Sequence, residues 1–166
     1  MKVTETGVRI PFIAQTGEID CGPACLAMVL ASFGCAVSIG RIRQLCRPHS
    51  AGTDAQAILE AAETFGLHGR GFAVAADSIG VVPHGSIVHF PDRNGEGHFV
   101  VLESSPRGIV RMLDPLKGRM SISTLDFHKC FSGTVLCVLC FEKIGKATPR
   151  SGQASKIGMA PARVRR

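Results

Sequence analysis

The 166-residue chain contains no tryptophan and no tyrosine. Proteins that hold single-stranded nucleic acid stack bases on aromatic side chains interleaved with basic ones. That interleaving is missing here, so nucleic acid is not an expected partner. There is also no run of about 18 or more apolar residues, so no segment reads as a membrane-spanning helix. Met1-Lys2-Val3-Thr4-Glu5-Thr6 lacks the apolar centre of a signal peptide, which makes an intracellular chain the expectation. Charge is scarce: 19% of residues are charged against 45% hydrophobic. This excludes a disordered polyelectrolyte and suits one packed domain.

The formal net charge of +6 does not belong to that domain. Residues 1–141 hold 12 basic and 12 acidic side chains, whereas residues 142–166 hold seven basic and one acidic. From residue 145 onward Gly, Ala, Ser, Pro and Arg dominate, with no hydrophobic period. The expected organisation is a domain over 1–141, opened by an extended arm over 1–14, and a basic linker or disordered tail over 142–166. The tail's Lys156, Arg163, Arg165 and Arg166 resemble a cytoplasmic segment preceding a membrane span.

Seven cysteines and no secretion signal argue against a disulfide framework. Cys137 and Cys140 have CxxC spacing, but no second CxxC or histidine pair completes a zinc site. Their run is continuously apolar, so both read as small buried hydrophobes. No metal or cofactor is expected.

Helices come first. Residues 21–33 place Leu26, Val29, Leu30 and Phe33 on one helical face, with Gly34 as a stop. Ser38 can cap a second helix bearing Ile39, Ile42 and Leu45. Thr53 with Gln56 has the capping-box pattern for a third helix, 54–65, ended by Gly66. Short apolar runs then follow at 70–75, 86–90, 98–103, 108–113 and 133–141, separated by turn residues. Residues 92–97 read as a polar hairpin loop, and 123–129 as one or two helical turns. Helices packed on a mostly antiparallel sheet make the fold class α+β.

Cys21 stands where a polar loop meets the first helix, and Gln15 lies six residues before it. The positive end of a helix favours anions, a thiolate among them. An amide side chain can donate to an oxyanion. A cysteine nucleophile also needs a base and a group to orient that base. Of six histidines, most lie in turns or beside glycines. His98 instead opens the strand His98-Phe99-Val100-Val101-Leu102 after a flexible loop. If 98–103 and 108–113 form a hairpin, His98 and Asp114 fall at the same end of adjacent strands. An aspartate before Pro115 is also an ordinary turn opener. Asp20 is next to Cys21; aimed at the sulfur it would disfavour the thiolate. It is expected to point away and to bond backbone amides. Cys25, one turn into the helix, has a committed backbone amide and reads as a packing residue.

Together these blocks resemble the cysteine peptidase domain of bacteriocin-processing ABC exporters. The resemblance is carried by Gln15, Asp20-Cys21-Gly22, Cys25-Leu26-Ala27-Met28, Ile87-Val88-His89-Phe90, His98 to Leu102, Asp114-Pro115 and Phe131 to Leu136. It spans roughly residues 10–140. It implies a papain-like fold in which Cys21 is the nucleophile, His98 the base and acid, and Asp114 the residue that orients His98. Gln15 and the Cys21 amide would form the oxyanion hole. The implied substrate is a leader peptide ending in Gly-Gly or a similar small pair. The implied partners are the transmembrane and ATPase domains of an ABC exporter, at the cytoplasmic face of the cell membrane. Pro23 departs from the small apolar residue usual after the nucleophile's glycine, yet proline is accepted in a first helical turn. No membrane span or Walker motif accompanies the domain, so an excised exporter domain and a stand-alone peptidase are both open. A non-catalytic leader-docking domain and another papain-like acyl transfer are the alternative functions.

Overall fold

The computed structural model describes residues 9–50, 52–91 and 97–140. The arm, over residues 9–14, has no regular secondary structure and runs into the loop that carries Gln15. Three helices follow: α1 (Cys21–Ser32), α2 (Ile39–Cys46) and α3 (Ala55–Thr64). Six strands make one sheet: β1 (His68–Ala73), β2 (Ile87–Pro91), β3 (Gly97–Ser104), β4 (Ile109–Asp114), β5 (Gly118–Ser123) and β6 (Thr134–Leu139). A 3-10 helix, Ala76–Val81, follows β1, and α4 (Thr124–Cys130) precedes β6. Strand order is β1-β6-β2-β3-β4-β5, with every pairing antiparallel. The expected α+β class is the observed one.

Strand alternation splits the apolar side chains between two cores. Ile87, Phe99, Val101, Leu113, Leu136 and Val138 join the first, beneath α1, α2 and α3. Val88, Val100, Leu102, Val110, Met112 and Val135 join the second, covered by Ile79 and Val82 around the 3-10 helix and by Phe127 of α4. Helix α1 is the centre of the first core. Cys21 through Leu30 are all buried, as suits a helix apolar on every side. It packs on β3, the strand that begins next to His98.

Several expectations need correction. Ser38 caps α2 as expected, its side chain accepting from the Arg41 N–H at 3.3 Å. Thr53 does not cap α3: the N-cap is Asp54, and the Thr53 hydroxyl donates instead to the Ile19 carbonyl at 3.5 Å. The reason is tertiary, because Thr53 also packs against Gly22 of α1. Strand β5 was not among the expected strands. Its sequence, Gly-Arg-Met-Ser-Ile-Ser, is that of a polar edge strand, recruited by pairing along all of β4. Cys137 is partly buried with its sulfur 3.4 Å from Ser86 Oγ, but Cys140 is exposed rather than packed. The expected tail lies outside the described residues, as does most of the 92–97 loop.

Candidate active site

Hydrogen-bond demand at the start of α1 fixes the first half of the site. The leading N–H groups of a helix have no intrahelical acceptor, so the Cys21 amide points outward beside its own thiol. Cys21 is 4% exposed. Cys25, one turn on, is sealed in the core, where its sulfur donates to the Phe99 carbonyl at 3.2 Å. Burial, aided by the charges of Cys21 and Asp114, pushes the Cys25 thiol well up. It is a packing residue by geometry as well as by reactivity.

The second half comes from the sheet. The pairs Val101–Leu113 and Leu102–Met112 align β3 with β4, and a bulge between Leu102 and Ser104 absorbs one residue. That register brings His98 and Asp114 to one end of the hairpin, with His98 Nε2 3.0 Å from Asp114 Oδ1. The same carboxylate oxygen accepts the N–H groups of Leu116 at 2.8 Å and Lys117 at 3.2 Å. Burial alone would raise the Asp114 carboxyl. The His98 contact and the two N–H groups outweigh it and hold the group below its ordinary range. His98 in turn is raised to about 9, by its hydrogen bond to Asp114 first and by one to Cys21 second. With Nε2 committed to Asp114, Nδ1 is the nitrogen left for the sulfur.

Gln15 joins these two halves. Its backbone N–H donates to the Pro115 carbonyl at 2.9 Å, one residue beyond Asp114. Its side-chain amide donates to the Gly17 carbonyl at 2.9 Å. An amide nitrogen has two hydrogens, so this bond leaves one free to donate. All four sequence-derived site residues therefore converge: His98 bonded to Asp114 and influenced by Cys21, with Gln15 on the loop bonded beside them.

Asp20 behaves differently from expectation. It is fully buried, and its principal partner is a guanidinium rather than backbone amides. Arg43 Nε donates to Oδ1 at 2.6 Å, and Arg43 Nη2 closes a second bond to Oδ2. Thr16 adds a third, its hydroxyl 2.7 Å from Oδ2. Burial would raise the Asp20 carboxyl, yet the Arg43 and Thr16 bonds hold it below its ordinary range. No local pattern signals Arg43, which comes from the last turn of α2.

A cleft of about 280 Å³ opens between the layers. Thr53 and Ala55 line its helix side, and His89, Gly97, Phe99 and Thr134 its sheet side. Gly97 is required by packing: the space a Cβ would occupy is filled by the His89 imidazole. That ring leans on Phe99, centroids 4.9 Å apart, and its Nδ1 is 3.0 Å from Ser132 Oγ. Burial and then the charge of His98 keep His89 below its ordinary value, so it stays neutral beside a protonated His98.

A thiol, an imidazole and a carboxylate in that order, beside a free helix N-terminus, form the equipment for acyl transfer through a thioester. The sequence profile of the peptidase C39 family matches residues 9–143. The chain belongs to the peptidase C39 family. This C39 peptidase is thus a cysteine peptidase with the expected papain-like fold. Among its relatives, the colicin V secretion/processing ATP-binding protein CvaB of Escherichia coli is 31% identical over 128 residues. The match takes in 77% of this chain but only 18% of CvaB. An uncharacterized protein of Methanothermobacter marburgensis is 30% identical over 131 residues, and there the match takes in 76% of this chain and 86% of the relative. Among solved structures, a double glycine motif protease from an AMS/PCAT transporter, in complex with the leader peptide, superimposes with a TM-score of 0.75. It shares 29% identity, with 84% of this chain and 97% of that one covered. Among the described residues no helix is long and apolar enough to cross a membrane, and no cluster of metal-ligating side chains occurs.

Proposed function

We propose that this domain removes the leader of a ribosomally made peptide by cutting after a Gly-Gly type pair. The observation that carries the proposal is the Cys21–His98–Asp114 chain, with His98 held protonated at neutral pH. The structural relative that acts at a double glycine motif supplies the substrate class. CvaB and its kind, whose names join secretion to processing, support coupling to an ABC exporter at the cytoplasmic face of the membrane. In that setting the transmembrane and ATPase domains are the partners.

In the proposed reaction the Cys21 thiolate attacks the carbonyl carbon of the last leader glycine. The carbonyl π-electrons move to oxygen, and the Cys21 N–H and the free Gln15 N–H receive the oxyanion. Losing one such donor typically costs ~100- to 1,000-fold in rate. His98 gives its proton to the leaving amine as the C–N bond breaks, and a thioester remains. The neutral imidazole then takes a proton from water, whose oxygen attacks the thioester. Collapse expels the thiolate, frees the leader acid and restores the starting pair. Asp114 holds the His98 tautomer throughout.

Small residues suit the site. Next to His98 the His89 ring fills the space over Gly97, and a substrate pair without side chains would avoid clash there, a form of exclusion sharper than a missing methylene. The upstream leader would add affinity as an amphipathic helix. Incubating the domain with a Gly-Gly leader–cargo peptide and following it by mass spectrometry tests the reading. Release of the cargo immediately after the second glycine is expected. Intact peptide in the presence of folded, leader-binding protein would refute it.

A further inference from the structure

Arg43 reaches the catalytic loop from a helix that has no other business in the site. Asp20 immediately precedes Cys21, is 0% exposed, and carries a charge with no solvent to screen it. A single guanidinium serves both its oxygens and also donates to Thr16 Oγ1 at 3.0 Å. Thr16 closes the triangle on Asp20. Residues 16 and 20 are thereby tied into one turn, and the Asp20 N–H closes it from inside on the Gly17 carbonyl at 3.2 Å. That carbonyl is the one that holds the Gln15 amide. Gly17 fits tightly above the ion pair: a Cβ there would meet Asp20 Oδ2 at 3.2 Å and Arg43 Nη2 at 3.7 Å. The chain of contacts therefore runs from Arg43, through Asp20 and Thr16, to Gly17 and on to Gln15.

We propose that Arg43 is a positioning residue, which fixes the 15–20 loop through Asp20 and Thr16 and so aims the Gln15 amide at the reacting carbonyl. The proposal rests on Gln15 serving as oxyanion donor. A planar guanidinium with fixed forks can hold a carboxylate and a hydroxyl at once in one orientation; a lysine ammonium supplies a charge without that geometry. Arg43 makes no hydrogen bond to Cys21 or His98, and its link to them runs through Asp20 and the loop.

The test is a double-mutant cycle on cleavage of a Gly-Gly leader peptide, combining Arg43→Lys, Arg43→Ala or Thr16→Val with Gln15→Ala. Thr16→Val leaves the buried carboxylate paired, so it reports even where Arg43→Ala fails to fold. In the Gln15 background, each variant is expected to lower kcat by roughly 10-fold or more with KM little changed, a part of what loss of the donor itself costs. In the Gln15→Ala background the same changes should cost less than about 2-fold, because the group they aim is gone. The rate of Cys21 alkylation by iodoacetamide, followed by peptide mapping, should stay at the wild-type value in Arg43→Lys and Thr16→Val, both of which keep a cation beside the Asp20 carboxylate. Equal losses in both backgrounds, or alkylation slowed in step with kcat in Arg43→Lys and Thr16→Val, would overturn the positioning role and leave Arg43 a structural residue. A Gln15→Ala enzyme of full activity would remove the oxyanion role and the positioning role together, while the Cys21 chemistry stood.

Discussion

At the scale of single residues, the site is a chain of proton and charge relationships in which each side chain's state follows from its neighbours. Cys21→Ala removes the thiol that acts on His98, so cleavage should fall to background while the leader is still bound. Calorimetric titration with leader peptide and the cleavage assay check the two halves of that outcome. The pH dependence follows from His98, raised to about 9 by Asp114 and Cys21. A raised histidine stabilises the fold below its unfolded value and loses that contribution as pH climbs through about 9. The same deprotonation ends general-acid catalysis. The alkaline limb of kcat/KM is therefore expected near pH 9, with thermal stability declining over the same window. Asp114→Asn removes the larger cause and should move both downward in pH. A limb unmoved by that change would show that a different group titrates. Gln15, Cys21, His98 and Asp114 could be proposed from the sequence because each lies in a motif block that carries the family resemblance. Arg43 could not, since its role is created by a contact across 23 positions.

At the scale of elements, the position of Cys21 is set by how α1 meets α3. Gly22 is the point of contact. A Cβ there would lie 2.9 Å from Ile58 Cδ1 and 3.0 Å from Thr53 Cβ. Neither can yield freely, because Ile58 is fully buried and Thr53 is bonded to Ile19. Gly22→Ala should therefore push the helices apart, costing ~1–3 kcal/mol by overpacking. It should also lower kcat, since the displaced residue is the neighbour of the nucleophile. Urea unfolding and steady-state kinetics read the two effects; unchanged kcat would mean that α1 tilts without moving Cys21. Helices α2 and α3 were readable for the same reason that they pack: apolar residues recur at helical spacing, whereas α1 is buried on every side rather than on the one face expected. Strand β5 was not, because an edge strand that exposes alternate polar side chains has no apolar run to announce it. The α3 cap was misassigned to Thr53 for a related reason. A local pattern competed with a tertiary contact, and the contact decided.

At the scale of the whole molecule, Cys21 sits on a helix packed in the first core, while His98 sits on a strand that both cores share. Leu26, on α1 behind Cys21, belongs to the first core, and Leu102, on β3, belongs to the second; both are 0% exposed. Truncating either leaves a comparable hole, costing ~2–5 kcal/mol. The consequences for activity should separate. Leu26→Ala loosens the helix that carries the nucleophile against the strand that carries the base, and kcat should fall along with the urea midpoint. Leu102→Ala acts on the face of β3 turned away from α1 and leaves the seat of Cys21 intact, so the midpoint should drop with a smaller loss of kcat in the folded protein than Leu26→Ala gives. Both variants are measured at a temperature where each is more than nine-tenths folded, with the folded fraction taken from the unfolding curve. If Leu102→Ala lowers kcat as much as Leu26→Ala does, the sheet transmits packing defects to the triad, and the two cores do not divide their labour as their placement implies.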